Sequence, residues 1–94
     1  MKKQNSQYGI IRSTEELGRV ARAYRKNRRL TLETVSGLGN LSPRFLSEFE
    51  RGKDTAEIGK VLKALRTMGL EVVIQPRGAK LLEQASRRER ETDE

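Results

Sequence analysis

The chain has 94 residues, enough for one domain with a small core, and its hydrophobic share of 34% is low for a globule that must complete that core alone. The formal net charge is +7, and the absence of Cys and His removes thiolate and imidazole metal ligands, a disulfide framework and the commonest general base. No pair of carboxylates sits in an apolar setting suited to acid–base chemistry, so no enzyme, cofactor, metal or small-molecule ligand is expected.

Residues 1–12 read as a flexible N-terminal arm with one apolar patch, Tyr8-Gly-Ile-Ile11, which is either a short strand or part of the arm. Ser13, followed by Glu15 and Glu16, is a helix start: a hydroxyl cap with two acids in the first turn. Leu17, Val20, Ala21 and Tyr24 then recur at i, i+3, i+4 and i+7, opposite a basic face of Arg19, Arg22, Arg25, Lys26, Arg28 and Arg29. Thr31 caps a second helix over about 32–38, with Val35 and Leu38 as its apolar face. Gly39-Asn40 is a turn, because both residues tolerate positive φ.

Ser42 caps a third helix over about 43–50, with Pro43 in the first turn, where a missing N–H costs nothing. Leu46 and Phe49 face the core, Glu50 on the core side needs a cation within the domain, and Gly52 ends the helix. Lys53-Asp54-Thr55 supplies a turn and a new cap. Ile58, Val61, Leu62 and Leu65 then form the stripe of a fourth helix ending at Met68-Gly69, facing either the core or a dimer interface. Leu70 to Gln75 is β-branched and reads as a strand, closed by Pro76. A lone strand is unstable in water, so a two-fold-related copy is the economical partner, with Leu70, Val72, Val73 and Ile74 as the interface. Residues 77–94 read as a polar, disordered tail in which Leu81, Leu82 and Ala85 could form a short amphipathic helix.

Helices two and three, short and joined by a tight turn, make a helix-turn-helix whose second member presents Arg44, Ser47 and Glu48 outward, as a recognition helix meets the DNA major groove. Charge is distributed accordingly. Residues 1–53 hold 12 Lys/Arg against 5 Asp/Glu, a net of +7, whereas residues 54–94 hold 8 of each. A positive field on the half carrying the motif favours a polyanion. Arg44 is the first candidate for a base contact, because it can offer two donors to a guanine edge, with Ser47 one turn further along. Ser42 and Thr31 are caps whose hydroxyls also suit phosphate. Pro43 stands at the head of the helix as architecture or as apolar readout of a thymine methyl. Arg51, Lys53, Arg28 and Arg29 are candidates for phosphate contact; Glu48 either accepts from a cytosine amine or pairs with a nearby Arg, the latter favoured near phosphates.

The run Leu30-Thr31, the spacing to Leu41-Ser42, and Arg44-Phe-Leu-Ser-Glu-Phe-Glu-Arg-Gly52 resemble a Cro/cI-type (Xre family) helix-turn-helix. Continued through Lys53-Asp-Thr-Ala-Glu-Ile-Gly-Lys-Val-Leu-Lys-Ala-Leu-Arg-Thr-Met-Gly-Leu-Glu-Val72, the pattern resembles HipB-like antitoxins of HipA/HipB toxin–antitoxin modules, over roughly residues 13–76. The resemblance implies a mostly α, lambda-repressor-like helix-turn-helix domain over 13–76, with a C-terminal β-strand paired across a homodimer. It also implies a repressor that binds palindromic operators of its own operon in double-stranded DNA, and an antitoxin that neutralises a HipA-like Ser/Thr kinase toxin. Leu32 departs from the pattern, since many relatives carry a phosphate-binding Gln after the capping Thr. A stand-alone Xre-type regulator with no toxin partner is the alternative. No run approaches the roughly 18–20 apolar residues of a membrane span, and the N-terminus lacks the apolar core of a secretory signal. The expected location is cytoplasmic, at the nucleoid when operator-bound.

Overall fold

The computed structural model describes residues 9–78 and contains four helices among them: α1 (Thr14–Asn27), α2 (Leu32–Gly39), α3 (Pro43–Glu50) and α4 (Ile58–Met68). The first three begin on hydroxyl caps: Ser13 accepts from the Glu16 N–H, Thr31 from the Thr34 N–H and Ser42 from the Phe45 N–H. Each cap satisfies one of the orphan donors of a helix start. The fourth is capped differently from the expectation. Glu57 occupies the N-cap without a side-chain hydrogen bond, and Thr55 lies before it in the turn. Asn40 (φ 55°) and Gly69 (φ 103°) end α2 and α4 in the left-handed region.

The helices close on a core of Ala21 and Tyr24 from α1, Val35 from α2, Leu46 and Phe49 from α3, and Val61, Ala64, Leu65 and Met68 from α4, with Leu41 from the turn. Helix α3 packs against α1 and α2, and α4 packs against α2. The α1–α3 crossing is close. A Cβ built at Gly18 would lie 2.5 Å from the carbonyl oxygens of Phe49 and Glu50. Glycine is therefore required at position 18 for backbone proximity. Gly52 is required for two reasons: its φ is +92°, and a Cβ there would meet the Glu15 backbone at 2.7 Å. Thr14 Oγ1 donates to the Gly52 carbonyl at 2.9 Å and ties the end of the motif to the start of α1.

Two side chains, Leu38 and Arg25, sit differently from the sequence expectation. Leu38 is exposed (72%), because Leu32, Val35 and Gly39 define the inner face of a helix only eight residues long and Leu38 is rotated off it. Ile58 (68%) and Leu62 (41%) are exposed on one flank of α4, while Val61, Ala64, Leu65 and Met68 form its buried stripe. Arg25, assigned to the solvent face of α1, is buried; Gly18 and Arg25 lie seven residues apart on the flank that α3 covers.

After Gly69 the described chain has no secondary structure through Pro76 and makes no ladder within one subunit. Leu70 packs against the core, whereas Val72, Val73 and Ile74 are exposed, Ile74 at 92%. No helix among the described residues is long and apolar enough to cross a membrane. The expectations for residues 1–8 of the arm and for Leu81, Leu82, Ala85 and the rest of the tail from residue 79 lie outside the described residues.

Candidate nucleic-acid interface

The candidate interface is the outer face of α3. Ser42, Pro43 and Arg44 are exposed at its N-terminus, and Ser47 and Glu48 are half-buried one turn on. Pro43 occupies the first turn and the Ser42 hydroxyl accepts from Phe45 N–H at 3.0 Å. The helix start is thereby rigid while its neighbouring side chains stay in solvent.

Five polar side chains along this face are connected in two sets. Arg44 Nε donates to Glu48 Oε2 at 3.2 Å and Lys53 Nζ donates to Glu48 Oε1 at 3.0 Å. Arg51 Nη1 donates to Ser47 Oγ at 2.7 Å. Lys53 above all, and then Arg44, hold the Glu48 carboxyl below its ordinary pKa by hydrogen bonding, against a smaller upward push from desolvation. Glu48 thus pairs with cations on either side of it, the arrangement favoured on sequence grounds.

The inner face fixes the aim of the helix. Glu50 accepts from Arg25 Nε at 2.7 Å and from Arg25 Nη2 at 3.0 Å, a bidentate pair whose side chains are 3% and 8% exposed. Arg25 Nη1 also donates to the Leu30 carbonyl at 2.7 Å, so one guanidinium joins α1, the loop into α2, and the end of α3. The cation required by Glu50 is therefore Arg25. Across the turn, Ser36 Oγ donates to the Leu41 carbonyl, a staple that the sequence reading did not single out.

The remaining candidates are more dispersed. Thr31 is exposed, with its hydroxyl on the Thr34 N–H and within 2.9 Å of the Thr34 hydroxyl. Arg28 lies over the Tyr24 ring, donates to its hydroxyl at 2.7 Å and sits near Gly69, at the α1–α4 corner. Arg29 is exposed with φ 58°. One cation was missed: Lys60, in the first turn of α4, stands 6.0 Å from the centroid of the Phe45 ring and so flanks α3. Nothing in the sequence spacing marks it, because its place depends on how α4 docks.

Two short helices joined by a left-handed Asn turn, the second capped, solvent-facing and lined with cations, define a helix-turn-helix protein. No family model matches the chain. It is 36% identical over 64 residues to the uncharacterized HTH-type transcriptional regulator y4mF of Sinorhizobium fredii, a match covering 68% of this chain and 84% of that relative. The chain belongs to the HTH-type transcriptional regulators, which act by binding DNA rather than by catalysis. Its fold is that of HipB: the HipB-O4 20mer complex superposes with a TM-score of 0.71 at 17% identity, covering 76% of this chain and 100% of that one. The HipA-HipB-O2-O3 complex matches with the same score, identity and coverage.

Proposed function

We propose that this protein is a sequence-specific repressor that binds palindromic operators of its own operon as a homodimer, and an antitoxin that neutralises a HipA-type Ser/Thr kinase. The observation that carries the DNA part is the outer face of α3: a capped helix start with Arg44, Arg51 and Lys53 exposed and Ser47 half-buried among them, while Leu46, Phe49 and Glu50 lock it from behind. In this reading Arg44 reads a base, Ser47 contacts base or phosphate, and Ser42, Arg51, Lys53, Thr31, Arg28 and Arg29 hold the backbone, with Pro43 shaping the helix head. The dimer is supported by the exposed Val72, Val73 and Ile74, and by a shallow groove lined by Leu62, Leu65, Leu70 and Val72 beside them. Paired strands there would carry two α3 helices to half-sites about one helical turn apart, roughly 34 Å, or a small multiple of that.

The toxin part rests on the sequence resemblance and on the likeness to HipB in a complex that also contains HipA. The 36% identity to a protein described only as a transcriptional regulator favours the second reading, a stand-alone regulator. Co-expression with the product of the neighbouring gene, followed by pull-down and an operator footprint, separates the two. A kinase-like partner captured with a palindromic footprint upholds the full proposal; a footprint without a captured partner leaves the stand-alone regulator; no footprint at all refutes both. Within the footprint, Arg44→Ala is expected to lower affinity and relax preference at one base pair per half-site, by about tenfold or more in discrimination.

A further inference from the structure

A carboxylate in the middle of a phosphate-seeking surface needs an account. Glu48 repels the DNA backbone, and its pairs with Arg44 and Lys53 are too exposed to stabilise the fold appreciably: the three side chains are 24%, 87% and 47% exposed. The geometry supplies a different role. Glu48 Oε2 takes the Nε–H of Arg44, and no other hydrogen bond of Arg44 is present among the described residues, so the two terminal Nη groups are left as a free fork. That fork is the part of an arginine that matches O6 and N7 of guanine. Lys53 occupies the other oxygen, Oε1, which holds the carboxylate in place and leaves the trio with one net positive charge.

We propose that Glu48 is a positioning residue for sequence readout: held between Lys53 and Arg44, it fixes the Arg44 guanidinium so that its outer edge addresses a guanine, at the expense of general affinity for DNA. The inference rests on the DNA-reading role of α3 proposed above. An unbraced arginine would sample many rotamers and settle on the nearest phosphate, raising affinity for every sequence alike. The brace removes that freedom before binding, which is how preorganisation yields discrimination. Ser47 and Arg51, linked to each other and not to Glu48, lie outside this device.

The test uses the full-length chain and a randomised duplex library, with selected motifs and bound fractions compared for wild type, Glu48→Gln, Arg44→Ala and the double variant. Glu48→Gln is expected to bind random duplex more tightly and with a salt slope steeper by about one, because the net charge of the trio rises by one. It is also expected to lose about tenfold in preference at a single G·C pair per half-site, the scale of one bidentate arginine contact. The double variant should then show no further loss of preference beyond Arg44→Ala alone. An unchanged motif in Glu48→Gln, or losses from the two substitutions that multiply independently, would overturn the positioning role while leaving the recognition helix intact. A wild-type chain that selects no motif would overturn both.

Discussion

Arg29 holds a backbone conformation that costs a non-glycine residue roughly 1–2 kcal/mol, at φ 58°, immediately after α1. The side chain is exposed, so nothing in the core requires it. Arg29→Asn, which tolerates this conformation better, is expected to melt at the same or a higher temperature, while a salt titration of DNA affinity shows a slope shallower by about one. Glu48 gives a pH signature at the same scale. Its carboxyl is held below the ordinary value of 4.5, so the pairs with Lys53 and Arg44 persist as pH falls to that value and are lost only below it, with little change in fold stability because all three groups are solvated. A carbon-detected NMR titration should therefore place the Glu48 midpoint below 4.5, and Lys53→Met should raise it more than Arg44→Met, following the order of the two influences. That Glu48 pairs with a nearby arginine was readable from the sequence; that Lys53, read as a phosphate contact, takes its other oxygen was not. The fork geometry was not, because it depends on which nitrogen of Arg44 meets which oxygen.

Helix boundaries were the most legible feature, since Ser13, Thr31 and Ser42 all cap as their residue types predict and Asn40 takes the left-handed turn. The need of Glu50 for a cation was legible too, but its partner was not. Arg25 is one of four basic residues on α1 and looks solvated until α3 is laid across the Gly18 flank. The α4 stripe was read as facing the core or a dimer interface, and it divides: Val61 and Leu65 are in the core while Ile58 and Leu62 stay exposed, because periodicity marks an apolar stripe without saying how wide a strip the neighbouring helix covers. The buried pair gives a strong prediction. Glu50→Ala strands a guanidinium in the interior and should cost about 3–5 kcal/mol in urea unfolding, whereas the Arg25→Met/Glu50→Leu double variant should recover most of it. Gly18→Ala should also destabilise, because the added methyl meets two backbone carbonyls that have no rotamer to yield.

At the scale of the molecule, apolar residues after α4 are left exposed by the other described residues. Val72, Val73 and Ile74 follow a helix whose own outer flank, Ile58 and Leu62, is also uncovered. The β-branched run announces a strand by its composition, whereas the described residues 70–76 hold no secondary structure; in the proposed dimer the missing ladder partner is a second copy. Replacing Val72 and Ile74 together by Lys is expected to give monomers in sedimentation equilibrium, with the helical circular dichroism of the domain retained and the step between half-site and full-site binding lost. A dimer that survives both substitutions would assign the association to another surface.

The grip of the Arg25 guanidinium on both Glu50 and the Leu30 carbonyl has a mechanical corollary. With the first three helices pinned at one buried node, α3 in the proposed operator complex is expected to move with α1 as one block rather than tilt to suit an imperfect site. Tolerance for altered spacing between half-sites must then come from the joint beyond Gly69 or from bending of the duplex itself. Sequences with easily kinked central steps would be the ones this regulator forgives.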